Sequence, residues 1–208
     1  MSAVGKRVLR ALPGLAQTSA AFKRELCAVA DRLGVDADWL ATVIGFETQW
    51  TWSPSVKNAA GSGATGLIQF MGDTARNLGT TTTALAKMGA VEQLAYVEKY
   101  FRGRTKGVRR LEDLYLLVLY PVAVGSSDTH VLFEMDSPTT GKAYDQNKGF
   151  DRAKKGYVTT ADVVSTIRSA WARALGTVDV PAVVVGGGIA AWFLLVAGAG
   201  WFLYRSQV

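Results

Sequence analysis

Residues 38–50 read DWLATVIGFETQW, and residues 61–71 read GSGATGLIQFM. In the first stretch, apolar residues recur at the spacing of one helix face, at positions 40, 43, 44 and 50, and Glu47 falls on the same face. A carboxyl group on a core-facing stripe loses hydration, which favours its neutral form and raises its pKa. The stretch therefore predicts a helix with Glu47 as a candidate general acid, the alternative being a glutamate that reaches solvent at the helix end.

The second stretch is rich in glycine, with Gly61, Gly63 and Gly66 within six residues. Such a run is typical of a tight loop in which backbone segments approach closely. One amide, Gln69, follows among apolar neighbours. We therefore predict a loop close to the helix that carries Glu47.

These stretches follow the order and spacing of known motifs, in the segments Glu47-Thr48-Gln49-Trp50, Gly66-Leu67-Ile68-Gln69-Phe70-Met71, Thr74-Ala75 and Leu78-Gly79. The chain resembles the SLT-type lytic transglycosylases, whose fold is lysozyme-like. Thr48 stands where that family usually has Ser, Ile68 where it has Met, and Gly72 where it has Pro. The resemblance covers roughly residues 21–174.

A later motif of that family, Ala-Tyr-Asn-Ala-Gly, is degenerate in residues 119–125, which read LYPVAVG. Tyr120 matches the family tyrosine, Pro121 replaces the asparagine, and Gly125 comes two positions late. Residues 114–120 also fit a buried helix that ends before Pro121, because proline disfavours helical backbone in the residue before it. Both descriptions are compatible if Tyr120 ends a core helix beside the cleft.

The resemblance implies an all-α, mainly helical domain that cleaves the β-1,4 bond between N-acetylmuramic acid and N-acetylglucosamine and leaves a 1,6-anhydro product. Glu47 would act first as acid and then as base, with no cofactor and no metal. The substrate-binding residues that it implies are Thr48, Gly66, Gln69, Met71 and Tyr120.

Two alternatives remain open. In a muramidase, a second carboxylate such as Asp73 or Asp113 would place a water molecule, as glycoside hydrolases of the usual kind require. In the second alternative, the chain is a structural, ejection or membrane-channel protein of a virion that lacks catalytic activity. This alternative rests on Pro121, which replaces the asparagine of the family motif.

Composition limits the other classes of function. The formal net charge is +6 and the pI is about 9.5, which favours anionic partners such as peptidoglycan. The basic residues are not accompanied by a nucleic-acid-binding motif, so we expect no specific binding to nucleic acid. Cys27 and His130 are single residues of their type, and in residues 151–162 two ligand positions of a calcium loop are occupied by Ala153 and Lys155. We therefore expect no metal.

The composition of the two terminal segments suggests how the chain is divided. Residues 1–18 are predicted to form a basic N-terminal arm, residues 19–175 the transglycosylase domain, and residues 176–208 a linker and a transmembrane segment. Residues 181–204 contain 24 positions without a charge, and about 20 helical residues cross a bilayer. Small residues at 186–191 suit close helix contact and a homo-oligomer.

No convincing export signal precedes the domain. Delivery by a bacteriophage particle accounts for a wall-degrading domain joined to a membrane-seeking segment. We therefore expect the protein in the virion and then in the host envelope, facing the periplasm, where it opens the wall as the phage genome enters. Other virion or ejection proteins are candidate partners, and the bacterial inner membrane is the alternative location.

Between the motifs the pattern is helical. We predict helices near residues 20–33, 37–50, 73–78, 91–101, 111–120, 161–174 and 182–204. Asp73 and Thr160 are candidate N-caps.

Overall fold

The computed structural model describes residues 9–57 and 63–176, and within these ranges the architecture is mainly α-helical, as predicted. Short 3-10 turns occur at Leu15–Gln17, Thr105–Gly107, Pro121–Ala123 and Lys148–Phe150. The α-helices are α1 (Ala20–Leu33), α2 (Ala37–Glu47), α3 (Gly72–Asn77), α4 (Thr82–Leu85), α5 (Ala90–Phe101), α6 (Leu111–Leu119), α7 (Gly141–Asn147) and α8 (Thr160–Ala174).

Helix α6 is the centre of the core. All nine of its residues are buried, which suits a helix with an almost continuous apolar sequence. Helices α2 and α8 both pack against it, while α1 packs against α2 and α5. The helix ends at Leu119, and a 3-10 turn begins at Pro121. The prediction of a buried helix that ends before this proline is thus confirmed.

Two short strands were not predicted. Strand β1 (Val131–Glu134) pairs antiparallel with β2 (Tyr157–Thr159), with an irregularity between Val131 and Phe133. The inner positions Leu132, Phe133 and Val158 are buried. The two-stranded sheet thus closes one side of the helical core.

Several predicted boundaries were wrong by one to three residues. Helix α2 ends at Glu47 instead of residue 50, because the backbone turns left-handed at Gln49 and Trp50. Met71, not Asp73, occupies the N-cap position of α3. Thr159, not Thr160, caps α8, and it does so in a capping box with Asp162. Helices α4 and α7 were not predicted.

The predicted ends of the chain are described only in part. No helix in the described residues is long and apolar enough to cross a membrane. The predicted transmembrane segment, residues 181–204, lies outside the described residues. Of the predicted basic arm, residues 9–18 are described, and Leu12 and Leu15 are buried against the domain.

Candidate active site

Glu47 is the last residue of α2 and is only 1% exposed. Asp36 caps the other end of this helix by accepting from the backbone N–H groups of Asp38 and Trp39. Burial raises the pKa of Glu47 to about 8, and no charged group in the described residues contributes to this shift. The C-terminal end of a helix also carries partial negative charge, which further favours a neutral carboxyl. Glu47 therefore holds a proton at neutral pH, as a general acid must.

Tyr115 is the titratable side chain that the charge of Glu47 affects. It lies fully buried on α6, and its ring meets the ring of Phe46 edge-on, with centroids 5.2 Å apart. Burial, and then the charge of Glu47, raise the pKa of the phenol well above its usual value. Neither the Tyr115 hydroxyl nor Glu47 Oε1 has a hydrogen-bond partner among the described residues. Two buried polar groups without partners thus share this part of the core.

Tyr115 was not predicted as a site residue. The sequence placed it only in a buried apolar helix. The feature of the sequence that could have indicated a role for Tyr115 is its hydroxyl group, since a buried tyrosine usually needs a hydrogen-bond partner for its O–H. A single sequence does not show which side of a fully buried helix faces Glu47.

The turn that follows Glu47 has unusual backbone geometry. Gln49, Trp50 and Trp52 have φ values of 54°, 60° and 58°. With Gln69 (φ 49°), they make up four of the five left-handed non-glycine residues within residues 9–57 and 63–176. Such residues cost about 1–2 kcal/mol each and persist only where surrounding contacts hold them. The strain in this fold is concentrated in the two segments that carry the transglycosylase-like motifs.

Thr48 is buried inside this turn. Its hydroxyl donates to the Ile44 carbonyl at 2.8 Å and accepts from the Trp52 backbone N–H at 3.1 Å. The side chain thus closes the end of α2 and fixes the first part of the turn. The structure gives Thr48 a role in shaping the backbone after Glu47.

The glycine-rich loop is held by backbone pairing and by one buried amide. Thr65 and Phe70 exchange two backbone hydrogen bonds, at 3.1 and 2.9 Å. Gln93 on α5 accepts from the Leu67 N–H at 2.9 Å. It donates to the backbone carbonyls of residues 54 and 85, at 2.6 and 2.7 Å. Gln93 was not predicted, although an amide on the core-facing stripe of a helix is a recognisable signal.

Gly66 is required by this packing. Its φ is +88°, and a Cβ atom there would lie 2.4 Å from Gln93 Oε1. Gln69 is also buried, and its Nε2 donates to the Gly66 carbonyl at 3.0 Å. Gln69 Oε1 has no partner among the described residues. Gly66 and Gln69 thus form one unit with Gln93, while Gly61 lies outside the described residues.

The other two predicted binding residues are partly exposed. Met71 occupies the N-cap position of α3. Tyr120 lies just after α6, with its ring edge-on to Phe133 at a centroid distance of 5.3 Å. Tyr120 therefore packs on strand β1 as well as following the last residue of the central helix.

The carboxylates considered for a second catalytic role are engaged elsewhere. Asp73 is exposed and forms an ion pair with Arg76. Asp113 is buried, but it accepts from the Arg109 backbone N–H at 3.0 Å and from Arg110 Nε at 3.1 Å. Neither shifts the pKa of Glu47. Glu47 is therefore the carboxyl group with the environment of an acid catalyst in this site.

Within the part of the chain that the structure describes, no cluster of three or more histidine, cysteine or acidic side chains could hold a metal ion. No protein-family model matches this chain, and no curated protein matches it either.

Proposed function

We propose that this protein is a peptidoglycan lytic transglycosylase with Glu47 as its acid and base. One observation carries the proposal: a carboxyl group buried at the end of α2, whose pKa burial raises to about 8. An acid with this pKa is protonated at neutral pH and still able to release its proton in the reaction. The motifs around Glu47 and Gly66 supply the substrate class through their resemblance to the SLT-type enzymes.

The mechanism uses one carboxyl group twice. Glu47 donates its proton to the oxygen of the β-1,4 bond, and the N-acetylglucosamine leaves with that proton. The Glu47 carboxylate then takes the proton of the muramyl 6-hydroxyl, whose oxygen bonds to the anomeric carbon. The 1,6-anhydro ring closes, and Glu47 regains its proton. No water enters the balance, so no second carboxylate is needed.

The surrounding groups have supporting roles in this proposal. The Gln69 Oε1 atom and the Tyr115 hydroxyl are buried polar groups without partners in the described structure, near the segments that define the site. Gly66 keeps the loop backbone close to Gln93. Thr48 shapes the turn, while Met71 and Tyr120 supply partly exposed surface for the glycan. No cofactor is required.

The biological setting is also a proposal. A muralytic domain, a basic chain and an uncharged segment at residues 181–204 suit a bacteriophage particle protein that opens the wall locally as the genome enters the host. In that setting the partners are glycan strands, a membrane, other virion or ejection proteins, and further copies of this chain.

The alternative of an inactive structural protein is supported by a specific observation. Pro121 stands where the family has asparagine, and the adjacent Tyr120 ring packs against Phe133. A virion structural protein that kept the fold without the activity would show both features. The muramidase alternative is less favoured, because Asp73 and Asp113 are bound to arginine side chains.

Turbidity loss of purified peptidoglycan tests the proposal. We expect Glu47→Gln, which keeps the size of the side chain and removes the transferable proton, to lower the rate by about 10²–10⁴-fold. Glu92→Gln, at an exposed position of α5, is the matched control and should keep wild-type activity. Activity of Glu47→Gln equal to that of wild type would exclude Glu47 as the acid, and an inactive wild type on several peptidoglycans would favour the structural alternative.

A further inference from the structure

Residues 9–18, which we name the N-terminal strap, pack against the domain beside α2. Leu12 and Leu15 are each only 4% exposed and belong to the main core. A 3-10 turn at Leu15–Gln17 ends the strap before α1 begins. The strap is thus a part of the fold with its own buried anchors.

The strap contacts the turn that follows Glu47. Trp52 is buried, and its Nε1 donates to the Pro13 carbonyl at 2.7 Å. Gly14 is left-handed (φ +69°), and a Cβ atom there would lie 2.4 Å from the Trp50 carbonyl oxygen. The strap backbone therefore touches two of the three left-handed residues of this turn, at a distance that only glycine allows.

The other side of the turn rests on α2 itself. A Cβ atom on Gly45 would lie 2.4 Å from Cε3 and Cζ3 of Trp50, so the indole lies directly on the helix backbone. Gly45 is two residues before Glu47. Trp50 is thus held by α2 through its ring and by the strap through its carbonyl group.

The strap also reaches the opposite end of α2. The Arg10 backbone N–H donates to Asp38 Oδ1 at 2.8 Å, and Arg10 Nε lies 3.3 Å from Asp38 Oδ2. The Arg10 guanidinium lies over the ring of Trp171 on α8, 5.6 Å from its centroid. The strap therefore spans α2 from its first turn to the residues just past Glu47, and links it to α8.

We propose that the N-terminal strap is a positioning element of the active site, which holds the strained turn at residues 49–52 and thereby keeps Glu47 buried. Three left-handed residues in four positions relax unless contacts hold them. Relaxation of this turn would open the end of α2 to water. This inference rests on the proposed function, in which the buried Glu47 is the acid.

The test measures the Glu47 carboxyl directly, independently of activity. The full chain, labelled with ¹³C and kept in detergent, is titrated while the Glu47 side-chain carboxyl signal is followed by NMR. Gly14→Ala places a methyl group against the Trp50 carbonyl oxygen. Gly34→Ala is the matched control, because Gly34 has nearly the same φ (+68°) with no other atom within 4 Å of the added Cβ.

Tyr115, on α6, is the neighbouring titratable group, and its usual pKa is about 10, so its own ionisation falls above the expected Glu47 midpoint. We expect wild type and Gly34→Ala to titrate near 8. Gly14→Ala should titrate at least about one unit lower, because water restores hydration to the carboxylate.

A second variant guards against misfolding. Trp52→Phe removes the indole N–H that bonds Pro13 and keeps an aromatic ring beside Phe22. It should also lower the Glu47 midpoint, with the helical circular dichroism unchanged. Equal midpoints in wild type, Gly14→Ala and Trp52→Phe would overturn the strap proposal while leaving the proposed function intact. A wild-type midpoint near 4.5 would instead overturn the proposed function.

Discussion

At the scale of single residues, Glu47 is a group that the fold maintains at a cost. The Glu47 carboxyl is buried and its Oε1 atom has no hydrogen-bond partner among the described residues, so it gives up hydration, and residues that serve catalysis often lower stability in this way. The neighbouring Tyr115 hydroxyl is in the same situation. An apolar side chain at either position would pack without that loss, and in the proposed function Glu47 is kept at this cost because it supplies the proton.

The raised pKa of Glu47 predicts how the stability of the protein depends on pH. In the unfolded chain Glu47 ionises near 4.5, whereas in the folded chain it keeps its proton up to about 8. Wild-type stability should therefore fall as pH rises through this window. Glu47→Gln does not ionise at this position, so its stability should not fall in this window. The free energy of unfolding of the variant minus that of wild type should therefore increase between pH 4.5 and 8, by several kcal/mol and at most about 5.

Urea unfolding of both proteins at half-unit pH steps measures this difference. The variant's amide also carries a constant cost of burial, so the informative quantity is the change of the difference with pH. A difference that stays flat from pH 4.5 to 8 would show that the Glu47 carboxyl ionises normally in the folded protein.

The same pKa predicts the pH dependence of catalysis. The acid must be protonated when the substrate binds, so kcat/KM should fall on the alkaline side with a midpoint near 8. Initial rates on soluble glycan strands between pH 5 and 10 provide the profile. An alkaline limb at pH 6 or below would assign the proton donor to another group.

At the scale of elements, the glycine-rich loop and α5 act as one unit. Gln93 bonds three backbone groups from three different segments, and Gly66 gives it the necessary space. Gln69 then folds back on the Gly66 carbonyl. The loop geometry therefore depends on a side chain that is 27 residues away from Gly66 in the sequence.

Gly66→Ala should disrupt this unit. The substitution adds left-handed strain of about 1–2 kcal/mol and displaces the Gln93 amide, which leaves buried backbone groups without partners at a further cost of about 1–3 kcal/mol. Gly79→Ala is the matched control, because Gly79 is also left-handed (φ +80°) and no other atom lies within 4 Å of the added Cβ. Thermal unfolding compares the two, and equal losses of stability would contradict the role assigned to Gln93.

The long helices were predictable from sequence, and the short elements were not. The amphipathic pattern of α1 predicted its bounds, and in the structure Ser19 and Gly34 are its caps. Helix α4 has four residues, too few for a periodic signal. Strands β1 and β2 are far apart in sequence, so no hairpin turn signal joins them.

The burial of Glu47 was predictable from sequence, but the contacts around it were not. Glu47 was predicted to be buried because it lies on the apolar face of its helix, and it is 1% exposed. The end of α2 was misplaced because Trp50 continues the apolar spacing while its backbone is left-handed. Tyr115, Gln93 and the strap act through tertiary contacts, which helix periodicity does not encode.

At the scale of the whole molecule, a helical domain is built around α6, and the strap joins α2 to α8. Helix α8 leads into residues 177–208, which lie outside the described residues. That part of the chain contains the uncharged stretch at residues 181–204, which we propose crosses a membrane. The proposal thus divides the protein into a wall-cleaving domain and an anchor.

This division predicts the behaviour of a truncated chain. A protein that ends after Leu175 should be soluble, folded and active, because the elements that bury Glu47 come before that point. The full chain should partition with liposomes or detergent, since residues 181–204 are long enough to cross a bilayer. Flotation of both proteins with liposomes distinguishes them, and a full chain that stays monomeric in plain buffer would contradict the anchor.

In the proposed mechanism one carboxyl group, Glu47, performs the whole reaction. Mass spectrometry of the muropeptides that the full chain releases from purified peptidoglycan tests it most directly, because the two possible products differ by one water. We expect 1,6-anhydro-muramic acid ends from wild type and no release by Glu47→Gln. Predominantly reducing ends would contradict it, because they would show that water attacks the reacting carbon and that a second group takes part.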